Sequence, residues 1–177
     1  MGPRLERGLV QVYTGDGKGK TTAALGLGLR AAGHGFSVFL LQFMKGDPGY
    51  GELRALANVP GFTWEQSGLP TFVKHGNPTP EDLRLAAGGM EIARRVVGEG
   101  RHDVVILDEI NCAVEYGLVP VEEVLALIDA KPARVELVLT GRYAPPEILA
   151  RADLVSEVRN VRHPYQKGIA ARDGIEH

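Results

Sequence analysis

Cysteine is nearly missing from this chain. One residue, Cys112, stands among 177, so no disulfide can form within the chain. Neither CxxC nor HExxH spacing occurs, which removes the common zinc-site readings. A reducing compartment is compatible with that usage. Long apolar runs are lacking too. None reaches the roughly 18–20 residues of a membrane-spanning helix, and the opening MGPRLERG has no apolar stretch of the signal-peptide kind. The cytoplasm is the expected place, with no membrane partner. Nor is there an excess of one charge. Twenty Lys and Arg against 22 Asp and Glu give a formal net charge of -2, which creates no global field for DNA or RNA. No nucleic-acid partner is expected.

What is present is a regular alternation of short apolar runs and helical stretches. Leu9–Tyr13 enters a Gly-rich turn and reads as a buried strand; Lys20 to Ala32 follows as an Ala- and Leu-rich helix, stopped by Gly33 and Gly35. Ser37–Phe43 is the next strand. Met44–Gly51 is glycine-rich, Glu52–Ala57 allows a short helix, and Phe62–Gln66 a short strand. Ser67 to Pro80 has little periodicity and reads as a binding loop. Thr79-Pro80-Glu81-Asp82 is a helix start, with Thr as N-cap, and predicts a helix to about Val97. Asp103–Asp108 and Val135–Thr140 are two more buried strands, with a helix over Val121–Asp129 between them. Pro145–Ala150 begins a short helix, and Leu154–Arg159 alternates as a strand with one face to solvent. The tail after Asn160 shows no regular structure.

The chemistry is concentrated in Thr14–Thr21, TGDGKGKT. In a phosphate loop, successive backbone N–H groups converge on phosphate oxygens and the following helix adds its positive end. Gly15, Gly17 and Gly19 permit that path, Lys20 reaches the phosphates, and the Thr21 hydroxyl is placed to ligate Mg²⁺. The usual spacing is G-x-x-x-x-G-K-[ST]; Thr14 replaces the first Gly, and Lys18 adds a charge. A Gly-rich turn with incidental lysines is the plainer alternative, but strand, loop and helix follow in the order the motif requires. Asp108-Glu109, after the apolar Val104–Leu107, resembles a Walker B element at a strand's C-terminal end, where ligands of parallel α/β folds sit. Either acid could serve the metal; where no water attacks, Glu109 is free to do so. Together these features predict a single three-layer α/β domain over residues 1–177, of the P-loop NTPase (RecA-like) class, with a mostly parallel sheet.

Beyond the loop, the chain resembles the P-loop ATP:corrinoid adenosyltransferases. The resemblance rests on GDGKGKTTAALG (Gly15–Gly26), RAAGHG (Arg30–Gly35), LLQFMKG (Leu40–Gly46), VVILDEIN (Val104–Asn111), LTGRYAP (Leu139–Pro145) and ADLVSEVRNVRHPYQKGIAARDGIEH at the C-terminus. It implies that Co(I) of a corrinoid attacks C5′ of ATP and expels the whole triphosphate. It also implies ATP contacts from Gly15, Asp16, Gly17, Lys18, Gly19, Lys20, Thr21 and Thr22. Lys18 and Lys20 would stabilise the leaving charge, with Mg²⁺ (or Mn²⁺) on Thr21 and Glu109. Arg30 matches a family arginine near the nucleotide, and Arg142 follows a strand from which it could reach the site. On the corrinoid side an aromatic residue displaces the lower axial ligand. Phe72 is the candidate; Phe62 and Trp64 resemble a family pair but are equally core or half-buried strand residues. An electron-donating reductase or flavodoxin-like protein and a homodimer are implied as partners. Only eight residues precede the first strand, so a lid over the corrinoid is expected from elsewhere. Most histidines read as surface residues, and Cys112 as a small buried side chain. The rival readings are a small P-loop kinase or ATPase that leaves ADP, and a non-enzymatic nucleotide switch.

Overall fold

Val12, Leu41, Leu107 and Leu139 point to one side of the sheet, while Leu40, Ile106 and Val138 point to the other; all seven are fully buried. Alternation within unbroken apolar strands is what a parallel sheet covered on both faces demands. A computed structural model of the chain describes residues 4–71, 73 and 75–176. Its elements are β1 (Val10–Thr14), α1 (Lys20–Gly33), β2 (Val38–Phe43), α2 (Gly51–Leu56), β3 (Phe62–Ser67) and α3 (Pro80–Glu99). They continue with β4 (Val104–Asp108), α4 (Ile110–Glu115), α5 (Val121–Ala130), β5 (Glu136–Thr140), α6 (Pro146–Leu149) and β6 (Leu154–Glu157), then one 3₁₀ turn at Pro164–Lys167.

The strands lie in the order β3-β2-β4-β5-β1-β6, and every pairing is parallel. The sheet is therefore wholly rather than mostly parallel. β1 and β4 are not paired; β5 lies between them. Ala24 and Ala31 of α1 and Leu53 and Leu56 of α2 cover one face. On the other, Met90 and Ala93 of α3, Ile110 of α4, Leu127 of α5 and Ile148 of α6 pack against Leu41, Leu107 and Leu139. Each fully buried Leu or Ile contributes roughly 1.5–3 kcal/mol of transfer free energy, so the two apolar layers outweigh every local preference in fixing the sheet.

Local chemistry sets the ends. Thr79 caps α3: its hydroxyl oxygen accepts from the Asp82 N–H at 3.2 Å, and the Asp82 carboxylate accepts from the Thr79 N–H at 2.8 Å. α4 has no counterpart among the elements expected from the sequence. Its six residues are too few to show a helical period, and Ile110 to Ala113 are all buried. β6 also differs from expectation, since all four of its residues are exposed rather than alternating. It is an edge strand paired only with β1. Among the described residues no helix is long and apolar enough to cross a membrane.

Candidate active site

β1 leads into the loop Gly15–Gly19, and α1 leaves it. Gly19, at φ +123°, is the N-cap of α1, and no side chain caps its first turn. Those N–H groups remain available to an anion. The outer wall of the loop is the chain leaving β6. The Gly17 N–H donates to the Val158 carbonyl at 2.8 Å, and the Asp16 carboxylate accepts from the Asn160 N–H at 2.9 Å. A Cβ on Gly15 would lie 2.4 Å from the Val158 carbonyl oxygen, and one on Gly17 2.7 Å from the Arg159 carbonyl carbon. The glycines thus answer to this close approach as well as to any phosphate. Thr14, the departure from the usual motif, ties the loop's root to the turn after β5, because its Oγ1 accepts from the Ala144 N–H at 3.2 Å.

Lys20 is buried and folds back on the loop, its Nζ donating to the Gly17 carbonyl at 2.6 Å. Burial pulls its ammonium below the usual range; Glu109 works against that pull and Arg142 with it. Thr21 Oγ1 donates to Asp108 Oδ1 at 2.8 Å. Asp108 is fully buried and accepts three further hydrogen bonds: from Thr140 Oγ1 at 2.7 Å, Lys45 Nζ at 2.8 Å and Gln42 Nε2 at 3.2 Å. Burial alone would favour its neutral form. The Lys45 charge and the hydrogen bonds from Lys45, Thr140 and Thr21 outweigh burial and hold the carboxyl below the usual carboxylate range.

The three non-glycine residues with positive φ among those described are Met44 (+58°), Glu109 (+61°) and Tyr143 (+60°). Each follows the C-terminal end of a strand: β2, β4 and β5 in turn. Left-handed non-glycine residues persist where surrounding structure holds them, and they gather at functional sites. At Glu109 the turn separates the two acids. Asp108 stays in the sheet interior, while Glu109 emerges half-buried with its N–H donating to Thr140 Oγ1 at 3.0 Å. Cys112 Sγ accepts from the Arg142 N–H at 3.2 Å, pinning the turn after β5 to α4. Burial, with Glu109 adding to it, pushes the thiol up to about 12, so Cys112 is a packing and anchoring residue rather than a nucleophile.

The structure therefore brings together Lys20, Thr21, Asp108, Glu109 and Arg142 around the loop. Lys18 and Thr22 are exposed, with Lys18 close enough to Glu176 of the tail to favour that carboxylate's charge. Arg30 is not brought there. It is exposed on the last turn of α1, ten residues beyond Lys20, or about 15 Å along the axis. Phe72 lies outside the described residues. Phe62 is a core residue and Trp64 a half-buried neighbour of the same cluster. His102 is not one of the surface histidines: it is half-buried, packs at a tilt against Phe39 with ring centroids 5.3 Å apart, and has a buried Nδ1 with no partner among the described residues. Sequence reasoning missed Lys45, Gln42 and Thr140 as site residues. A polar residue inside an apolar strand run was the available signal for Gln42 and Thr140; Lys45 carried none beyond its place in LLQFMKG.

A divalent ion fits this donor set. The single Thr21 hydroxyl proton goes to Asp108, which leaves oxygen lone pairs free, and Glu109 supplies a second hard oxygen donor. Among the described residues no three His, Cys, Asp or Glu side chains form a metal cage. Mg²⁺ needs none, being held through one or two protein oxygens plus substrate phosphates.

Comparison with known proteins agrees with this geometry. The family model described as ATP:corrinoid adenosyltransferase BtuR/CobO/CobP matches residues 6–177. The chain is similar to the corrinoid adenosyltransferase CobA of Salmonella typhimurium, 36% identical over 180 residues, covering 97% of this chain and 87% of that one. It is similar to the corrinoid adenosyltransferase of Pseudomonas aeruginosa, 35% identical over 183 residues, with coverage of 98% and 85%. The Escherichia coli K12 enzyme of the same name is 36% identical over 180 residues, with coverage of 97% and 87%. With a phosphate loop, an acid pair at the end of β4 and a match along nearly its whole length, the chain belongs to the ATP:corrinoid adenosyltransferase family.

Proposed function

We propose that this protein transfers the 5′-deoxyadenosyl group of ATP to the Co(I) centre of a corrinoid substrate and releases tripolyphosphate. The cobalt electron pair forms the Co–C bond at C5′. The C5′–O bond breaks, and its electrons leave on the α-phosphate oxygen. The observation that carries this reading is the family match over residues 6–177, joined to a phosphate loop whose charges suit a departing anion. Lys20 sits at the mouth of α1 beside uncapped N–H groups, with Lys18 exposed two residues before it. Preorganised charge of this kind stabilises a leaving group in the transition state without reorganisation. The nucleophile belongs to the corrinoid, so the protein needs no base to generate it.

In this reading Gly15–Thr22 hold the triphosphate, with Asp16 acting through Asn160 to brace the loop. Arg142 adds a cation beside Lys20. Thr21 and Glu109 hold Mg²⁺ or Mn²⁺, which supplies charge neutralisation on the phosphates. Phe72 belongs to the corrinoid side. A reductase or flavodoxin-like protein supplies electrons for Co(I), the working form is a homodimer, and the compartment is the cytoplasm.

Incubation with ATP, Mg²⁺ and chemically reduced cobalamin tests the reading. An alkylcobalamin spectrum with one tripolyphosphate per turnover is expected. ADP and phosphate with an unchanged corrinoid spectrum would overturn it in favour of a kinase or ATPase.

A further inference from the structure

Asp108 has no free acceptor site. A carboxylate offers about four lone-pair positions, and four donors occupy them: Thr21 and Thr140 on Oδ1, Lys45 and Gln42 on Oδ2. The Gln42 amide is fixed in that sense because its Oε1 accepts from Gln66 Nε2 at 3.1 Å. Lys45 is the charged member, and the fold constrains its position. Met44 takes φ +58° and donates its N–H to the Ser67 carbonyl at 3.1 Å. A Cβ on Gly46 would lie 2.2 Å from the Gly68 carbonyl oxygen, and one on Gly68 2.4 Å from the Lys45 nitrogen. The turn after β2 is thus wedged against the turn after β3, and the Lys45 ammonium reaches a carboxylate with no solvent exposure.

A buried carboxylate must be compensated, by a cation or by hydrogen-bond donors, or be protonated. Here the compensating cation is part of the chain. We propose that Lys45 is a positioning residue, an internal cation that keeps divalent metal off Asp108. Asp108 then only orients the Thr21 hydroxyl, and the ion enters with the nucleotide on Thr21 and Glu109. This rests on the nucleotide site proposed above and gives its first acid a different role from its second.

The test is Mn²⁺ binding followed by electron paramagnetic resonance, with folding checked by circular dichroism. Wild-type protein is expected to show no saturable Mn²⁺ site without ATP. Lys45→Met is expected to gain one, by about tenfold or more in affinity, and Lys45→Met/Asp108→Asn to lose it again. Lys45→Gln, which removes the charge but keeps a hydrogen-bond donor for Asp108, is expected to gain the same site and stands in if Lys45→Met does not fold. A folded Lys45→Met without the new site would overturn the proposal. So would a saturable nucleotide-free site in wild type, or a folded Lys45→Gln without the new site. Failure of wild type to bind Mn²⁺·ATP would instead count against the phosphate-loop reading, and the nucleotide-free titrations would still judge Lys45.

Discussion

β4 is flanked by two buried aspartates, one at each end, and they are satisfied in opposite ways. Asp103, just before the strand, is buried and accepts from the Ser37 N–H at 2.9 Å, the Ser37 hydroxyl at 2.8 Å and the Leu5 N–H at 3.4 Å. Those donors are neutral, two of the three are backbone groups, and they tie neighbouring chain segments together. Asp108, at the far end, accepts only from side chains, drawn from α1, β2, β5 and the turn after β2, and one of them is a lysine. The backbone donors at one end cannot be exchanged without unpicking the fold. The side-chain donors at the other can be rearranged around a ligand. Burial alone does not distinguish a structural acid from a site acid; the kind of donor does.

Four changes test that contrast. The largest effect is expected at Lys20→Ala. Removing a preorganised charge from the phosphate site lowers turnover by roughly 10²–10³-fold, while the melting temperature moves little, since Lys20 donates only to the Gly17 carbonyl. Steady-state kinetics beside a thermal melt checks both halves. Next is Asp108→Asn, which strands the Lys45 ammonium against a neutral amide and costs roughly 3–5 kcal/mol in urea unfolding. Asp103→Asn keeps an acceptor for the Ser37 hydroxyl and loses about 1 kcal/mol or somewhat more, with ATP affinity unchanged by calorimetry. Equal losses at the two aspartates would break the comparison.

The smallest effect is a pH slope. Burial holds the His102 imidazole below its usual range, with Asp103 and Glu99 opposing. The unfolded chain therefore binds the proton more readily than the fold does. Stability is expected to be full above the unfolded histidine value near 6.5. It falls as pH drops from there toward the folded value, where native His102 also protonates. His102→Gln should flatten that slope in denaturation midpoints taken between pH 5 and 8; an unchanged slope would assign it to other groups.

Much of this architecture is legible in the sequence because apolar runs and glycine stops are local signals. They place β1, β2, β4 and β5 within a residue at either end, and four letters announce the Thr79 cap. The phosphate loop and the acid pair are legible for the same reason. Register and orientation are not. Lys45 meets Asp108 only because β2 and β4 are neighbours with Gln42 opposite Asp108, a pairing fixed by non-local packing. The separation of buried Asp108 from half-buried Glu109 likewise depends on one left-handed backbone angle, which no residue preference at Glu109 announces. Arg30 shows the reverse: the motif suggests a place near the loop, but a rise of about 1.5 Å per residue carries it to the helix's other end.

The glycine loop after β1 is walled by the segment after β6, since Asp16 and Asn160 meet across 144 positions. The wall of this loop is therefore among the most distant contacts described in the molecule. Such contacts carry the largest loop-closure entropy and form late. A chain still emerging from the ribosome can lay down β1 to β5, but its glycine loop has no wall until Val158 is released. A loop with its wall in place therefore reports that β6 has already joined the sheet beside β1.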